Sequence, residues 1–544
     1  IEQLNDEDRR LLIAASVQGY EFDSAVLAEV LDVDAEQLEE RLAALEGIHA
    51  FVVLIDEREF PDLTPTLRYR FVHVLYQNVL YASVRPTRKA SLSAAVAKTL
   101  LDHYGEQRSE IASELAFLFK AGRDFEQAAE YFLLAAENAA RVYANQEAIR
   151  FYENAGEMVS QLSRGSAKAP AKLSELRVQI HEELGGIFKT IGKYDEARES
   201  YEKAIADLSR DEKLRIARLY RHIGKSWQAQ RQSDSALKAF VAAEESLGQE
   251  PGEPDKEWKE WKKEWIQIQL ERVWVLYWLG QLEELNDLTT RIRPILEQHG
   301  SQTQRGLFFH SLMLYHLRRD RFVTSDETVK LAQTAAAAIE GSDDLAEVAS
   351  NRFGAGFAYL WRGDLDEAES HIKVALRSAS RRGDSINQVL CLTYLAIIYR
   401  KRGKVEETQS YISQALDAAT AGKMMTYIGM AKANLAWVAW RGGNYAEAKE
   451  HGRAALELWQ DGQGSYPFQW AALWPLVGVA LAENSISEAI ENARALLVPA
   501  QQRLPDELTS LVKEAVNASS RDQSEATRER LAEALKLAQE LSYL

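Results

Sequence analysis

The stretch WRGDLDEAESHIKVAL, residues 361–376, decides how this chain folds. Its Arg362-Gly363-Asp364 is either an adhesive tripeptide on a loop or the turn between two helices. Comparison with the rest of the chain separates the two readings. Forty residues on stands KRGKVEETQSYISQAL, and forty beyond that RGGNYAEAKEHGRAAL. Gly363, Gly403 and Gly443 hold the same place, each followed by an apolar-periodic segment that closes on Ala-Leu. A fixed period of this kind is the signature of a repeat array. Asp364 then reads as the N-cap of the second helix. The tripeptide is a turn.

The same turn recurs along most of the chain, as AGRDFEQA, IGKYDEA, QRQSDSA, LGQLEEL, RDRFVTS, RGDLDEA, RGKVEET, RGGNYAEA and ENSISEA. Small residues recur with it: Gly185, Gly224, Gly356 and Gly478 in first helices, and Ala197, Ala368 and Ala448 in second helices. Their place predicts helix pairs in close approach. Three stretches interrupt the spacing. QLSRGSAKAPAK (161–172) reads as a polar connector, Pro251 and Pro254 mark a loop before an extended helix, and EGSDD (340–344) is a small insertion. The final segment, from PDELTSLVKEAVNASS to the end, reads as two polar-faced helices that cap a solenoid.

Residues 1 to about 104 have a different texture. NDEDRRLLIAASVQG predicts an amphipathic helix capped by Asn5 or Asp6 and stopped at Gly19. DSAVLAEVLDV and DAEQLEERLAALEG add two helices. The β-rich runs AFVVLID and LRYRFVHV flank EREFPDLTPT as a hairpin. Pro86 opens a further helix. Three helices, a two-stranded wing and trailing helices make a winged-helix arrangement. The expected order is a winged helix over 1–104, junction helices and a first repeat over 105–160, repeats of about forty residues over 161–500, and capping helices over 501–544. The fold class is all-α, a right-handed α-solenoid behind a small winged-helix domain.

Composition excludes several functions. A formal charge of −17 opposes general nucleic-acid binding. The helix that would enter a DNA groove carries Asp34, Glu36, Glu39, Glu40 and Glu46 against one arginine, so phosphates would repel it. The lone Cys391 rules out internal disulfides, fits a reducing, cytoplasmic setting, and lies in an apolar helix that makes it a buried thiol. No apolar run approaches membrane-spanning length. Gly224-Lys225-Ser226 has the tail of a phosphate-binding loop, but Leu219 stands where the motif needs glycine and the stretch is helical. His310 and His316, six apart, do not share a helical face, so no metal site is expected. Neither catalysis nor a cofactor is expected within these residues. The chain opens at Ile1 without a methionine and is expected to be a fragment of something longer.

The repeats resemble tetratricopeptide repeats of the longer kind, and the resemblance covers residues 109 to about 500. The junction is more specific. DEDRRLLIAASVQGYEFDSAVLAEVL, YRFVHVLYQNVLYASVRPTRKASL and the segment from SELAFLFKAGRDFEQ to RFYENA are similar to the region after the ATPase module in bacterial STAND proteins, the signal-transduction ATPases with numerous domains. That resemblance implies an upstream NTPase domain in cis that carries ATP or ADP and Mg. It implies a sensor array downstream, and it leaves room for a ligand-driven oligomer of the full-length protein. It also implies a role for His73 as a contact to bound diphosphate, although Val74 stands where relatives often have Asp. The alternative is a histidine packed beneath the wing.

In tetratricopeptide superhelices the first helix of each pair lines the concave groove. Counting back from the turn glycine puts Phe353, Phe357 and Trp361 on one stripe. The same register places Trp274, Trp278, Trp437, Trp440 and Trp474 at groove positions of other repeats, and makes Arg218, Arg221 and Lys225 a basic face. Such a groove suits a peptide or protein ligand with apolar anchors and acidic groups. The alternatives are aromatics that pack between helices and arginines that are merely solvated. The function expected is binding and control of an upstream module. The rivals are a winged-helix DNA-binding regulator and a plain repeat scaffold.

Overall fold

The computed structural model describes residues 4–48, 50–163, 171–252, 256–339, 344–460 and 466–544. The chain divides into two compact units, 1–184 and 185–544.

The first unit begins with α1 (Asp6–Gln18), where Asn5 accepts a hydrogen bond from the Asp8 amide at 2.7 Å and so is the cap. β1 (Glu21–Asp23), α2 (Ser24–Leu31) and α3 (Ala35–Gly47) follow, then β2 (Val52–Glu59) and β3 (Pro65–Phe71). The hairpin β2–β3 is antiparallel, with Val52 opposite Phe71 and Glu59 opposite Pro65. The expected wing gains a third, short strand, because β1 pairs with the free edge of β3 and the order is β1-β3-β2. Leu12, Phe22, Leu27, Leu42 and Phe71 fill the core beneath it. α4 (Val74–Ser83) and α5 (Pro86–Tyr104) complete the winged helix. After a 3-10 turn come α6 (Ala112–Gly122), α7 (Phe125–Arg141) and α8 (Asn145–Ser163), packed as successive neighbours. The division between the units falls inside α9 (Ala171–Thr190). Most of the expected connector 161–172 lies outside the described residues.

The second unit is a run of helix pairs: α10 (Tyr194–Asp207), α11 (Lys213–Ala229), α12 (Ser233–Leu247), α13 (Lys256–Leu279), α14 (Leu282–His299), α15 (Gln302–Arg319), α16 (Asp326–Ala337), α17 (Leu345–Arg362), α18 (Leu365–Arg382), α19 (Ser385–Lys401), α20 (Val405–Ala421), α21 (Met425–Arg441), α22 (Tyr445–Gln460), α23 (Trp470–Ala482), α24 (Ile486–Leu496), α25 (Asp506–Ser519) and α26 (Ser524–Glu540). One turn geometry joins the pairs. Asp364, Lys404 and Asn444 each donate a backbone N–H to the carbonyl five residues earlier, at 3.0, 3.0 and 2.9 Å. That bond needs a left-handed residue just before it. Gly363, Gly403 and Gly443 supply it with φ of 101°, 69° and 76°, and an added Cβ would meet nothing within 4 Å at any of them. Glycine is chosen there for its backbone alone. Arg231 (φ 62°) and Asn484 (φ 59°) hold the same place in other turns.

The Arg362-Gly363-Asp364 turn differs from expectation in one detail. Asp364 sits at the N-cap but makes no side-chain cap bond; its Oδ2 instead lies 3.3 Å from Arg362 Nε. Close approach of paired helices is achieved by their small residues. A Cβ on Gly224 would fall 2.5 Å from the Phe240 ring, and one on Gly356 2.5 Å from Ile372. The expected insertion EGSDD and Pro254 lie outside the described residues except for Asp344, which caps α17 by accepting from the Ala346 amide at 2.8 Å. α25 and α26 pack on each other and on α24, and Arg400 donates to the Tyr543 carbonyl at 3.0 Å. The architecture is an α-solenoid of tetratricopeptide type preceded by a winged helix.

Candidate functional site

Within the second unit, first helices converge on one cavity of about 430 Å³. The C-terminal ends of α9 and α11, the middle of α13 and the N-terminal ends of α15, α17, α19 and α21 wall it. The array comes back on itself to do so. Arg231, at the turn after α11, donates to the Tyr427 hydroxyl at 2.8 Å across 196 positions of sequence. Its guanidinium lies 3.4 Å over the Trp278 ring. Nearby, Lys423 reaches the Asp195 carboxylate at 2.5 Å.

The walls are amphipathic. Trp274, Trp278, Tyr194 and Tyr427 give aromatic surface, and Leu307, Ile386 and Leu390 give aliphatic surface. Gln228, Gln267, Asn351 and Asn387 add amides, and Lys189, Lys225, Arg231, Arg382, Glu271, Glu347 and Asp384 add charge. Lys225 Nζ is 2.8 Å from Glu271 Oε1, which also accepts from Gln267 at 3.0 Å. Burial works to raise Glu271, but Lys225 and Arg221 outweigh it and hold the carboxyl below its usual range. Asp384 caps α19, accepting from the Asn387 amide at 3.2 Å and from its side chain at 2.8 Å. Lys189 Nζ lies 3.0 Å from His222 Nδ1. Burial, then the charges of Lys225 and Arg221, push the Lys189 amine down to about 7. Burial and Lys189 drive His222 well below its ordinary value, and burial brings His310 down to about 4. Among the described residues, Tyr194 Oη, Gln228 Oε1, His310 Nε2 and Asn351 Oδ1 have no hydrogen-bond partner.

The aromatic stripe divides. Trp274 and Trp278 are half-buried and line the cavity. Phe353, Phe357, Trp361, Trp437 and Trp474 do not form an open groove: all five are buried. Segment 466–469, between α22 and α23, fills the space that Phe357 and Trp361 face. Phe468 stacks on Trp361 with centroids 4.5 Å apart and contacts Phe322 at 4.6 Å, while Tyr466 stacks on Trp459 at 4.7 Å. Trp440 is half-buried against α23, its Nε1 only 2.5 Å from where a Cβ on Gly478 would stand.

The expected basic face is also corrected. Arg221 Nε is 2.5 Å from Glu264 Oε1, Arg218 lies 3.6 Å from the same carboxylate, and Lys225 has Glu271. Two glutamates of α13 thus neutralise the cations of α11, and of the three only Lys225 reaches the cavity. Gly224-Lys225-Ser226 lies within α11, and Ser226 is buried with its hydroxyl donating to the Ile223 carbonyl at 2.7 Å. His73 is exposed, not packed beneath the wing; it caps α4, with Nδ1 accepting from the Leu75 amide at 3.1 Å. Cys391 is buried, and burial pushes its thiol up. Among the described residues no cluster of three metal-ligating side chains occurs, and no helix is long and apolar enough to cross a membrane.

Sequence reasoning missed Lys189, Tyr194, Arg231, Asn351 and Tyr427. Lys189 and Gln228 each stand three residues before the left-handed turn residue, at Gly192 and Arg231, so the turn register carried a signal for part of the wall. Nothing local marks Tyr427.

No family model and no curated protein matches this chain. Among solved structures, it is similar to a STAND protein with a tetratricopeptide repeat sensor from Pyrococcus horikoshii, at 15% identity and a TM-score of 0.38, covering 94% of this chain and 65% of that one. The chain therefore spans somewhat under two thirds of that protein's length. A Rap protein complexed with competence and sporulation factor is 13% identical over 73% of this chain and 99% of its own, with a TM-score of 0.43. The apo form of RapI is 16% identical over 60% and 87%, with a TM-score of 0.38. All three scores lie below 0.5, and the assignment of fold rests on the helix pairs themselves.

Proposed function

We propose that this chain is the non-catalytic sensing region of a STAND-type signalling NTPase, and that its cavity takes a short peptide or a peptide segment of a protein. The observation that carries the reading is the convergence of seven first helices on one amphipathic cavity. Its volume falls in the range of about 300–1,000 Å³ typical of ligand pockets. Four aromatic walls offer apolar anchors, and the amides between them suit a peptide backbone.

The array would act by differential affinity. A ligand that prefers one arrangement of the helices shifts the on/off equilibrium of an upstream ATPase. ATP or ADP and Mg belong to that upstream domain, together with the diphosphate contact through His73, and the setting is cytoplasmic. The exposed apolar run Val72, Val74, Leu75 and Val79 beside His73 supports a docked neighbour at the winged helix. The chain itself is expected to show no ATP turnover; turnover abolished by Lys225→Ala would contradict this. In the full-length protein His73→Ala should raise basal signalling, whereas unchanged nucleotide affinity and output would leave His73 a helix cap.

The cavity itself is tested by affinity selection of a random tetrapeptide library on the purified chain and on Trp278→Ala. Peptides enriched on the wild type should be lost from the variant. Equal enrichment on both would place binding elsewhere and sink the reading.

A further inference from the structure

The charges of the cavity do not balance locally. Glu271 is bound to Lys225, Asp384 is spent capping α19, and Arg231 is held between Trp278 and Tyr427. Arg382 has Asp344 at 3.9 Å. Lys189 stands apart. Its near neighbour is the His222 ring, and among the described residues no carboxylate lies within ion-pair distance of its amine. The groups around it are Lys225, Arg221 and His222 of α11, Glu271 of α13 and Arg382 of α18, mostly cationic. Elsewhere around the cavity the Tyr194 hydroxyl, His310 Nε2 and Asn351 Oδ1 lack partners, on side chains no more than 5% exposed. Buried polar groups left unpaired are costly and rare. Here several of them share one cavity with an amine that lacks a counter-ion.

We infer that the cavity takes its peptide by a free C-terminal carboxylate, seated on the Lys189 amine, with the adjoining side chain against Trp274 and Trp278. The inference rests on the peptide reading above and names the end of the peptide that is recognised. An amino terminus would need a carboxylate, and of the three in the wall Glu271 and Asp384 are already engaged and Glu347 is not free. A carboxylate supplies the missing counter-charge.

The proton balance follows. An amine pushed down to about 7 is neutral in most molecules at pH 8, and pairing with a carboxylate requires it to take up a proton. Affinity should therefore fall as pH rises above 7, by up to about tenfold per unit. Lys189→Arg, which stays protonated, should flatten that dependence.

The experiment uses two tetrapeptide libraries of the same sequences, one with free C-terminal carboxylates and one amidated, selected on the wild-type chain, Lys189→Met and Lys189→Arg. The expected result is enrichment from the acid library only, lost by at least tenfold in Lys189→Met and kept in Lys189→Arg with a flattened profile between pH 6 and 8. Equal enrichment from the amides, dependent on Trp278 but not on Lys189, overturns this inference and leaves the peptide reading standing. Enrichment from neither library overturns both. Should Lys189→Met fail to fold, the contrast of acid with amide on the wild-type chain decides alone.

Discussion

The tryptophans of α13 and the aromatics of α17 to α23 stand in equivalent registers of their repeats and meet different fates. Trp274 and Trp278 look into an open cavity, whereas Phe357, Trp437 and Trp474 are 4%, 1% and 0% exposed. Trp437 is covered by Arg400 of α19, whereas at Phe357 the difference lies outside the helices. Residues 466–469 reach into the interior, and Phe468 stacks on Trp361 while Tyr466 extends toward Trp278, with ring centroids 6.0 Å apart. The inward face is core at Phe357 and Trp361, where the connector covers it, and is left partly open at Trp274 and Trp278, although Arg231 lies over the Trp278 ring.

This contrast can be broken most directly by stability. Trp437→Ala and Phe357→Ala should each cost about 3–5 kcal/mol in denaturant unfolding, as buried aromatics do. Phe468→Ala should cost as much, although it lies in a connector. A loss below about 1 kcal/mol at all three would mean that the two stripes do not differ. Trp278→Ala should instead be read in binding, weakening a selected peptide roughly thirty-fold, or about 2 kcal/mol. Equal binding with a large fall in stability would move Trp278 to the core side.

Smaller effects sharpen the picture. Gly363→Ala should cost about 1 kcal/mol for its left-handed backbone, since no steric contact opposes the new methyl. Lys189 carries a sign that can be checked by pH. Its amine is depressed in the folded chain, so the unfolded chain binds the extra proton between pH 7 and about 10.4, and wild-type stability gains with rising pH across that window. The advantage in melting temperature of Lys189→Met over the wild type should be largest at or below pH 7 and shrink toward pH 10. A constant difference would mean that the amine is solvated. Least of all, Asp364→Ala should change stability by no more than about 0.5 kcal/mol, because its ion pair with Arg362 is exposed. A loss of about 1 kcal/mol would restore it as a working cap.

Much of the fold was legible because the information is local. A left-handed residue, followed by an amide that donates to the carbonyl five positions before that amide, defines each turn, and all lie within a single stretch such as 359–364. The alternation of apolar residues likewise marks one face of each helix. The wing was visible as two β-rich runs, but β1, only three residues long, was not. Of the candidate site, the register located Trp274, Trp278 and Lys225. It gave no warning that Glu264 and Glu271 would neutralise α11, because helix-to-helix charge pairing depends on the rotation of α13 about its axis.

By itself the sequence determined the helix pairs, their turns and which side of each first helix faces inward. Tertiary structure alone decided where the interior is open. Arg231 meets Tyr427 over 196 residues, and segment 466–469 covers aromatics set more than a hundred residues earlier. Local backbone preference is written residue by residue, but occupancy of a shared interior depends on how many repeats bring the chain back upon itself, and on which distant side chains then compete for the space.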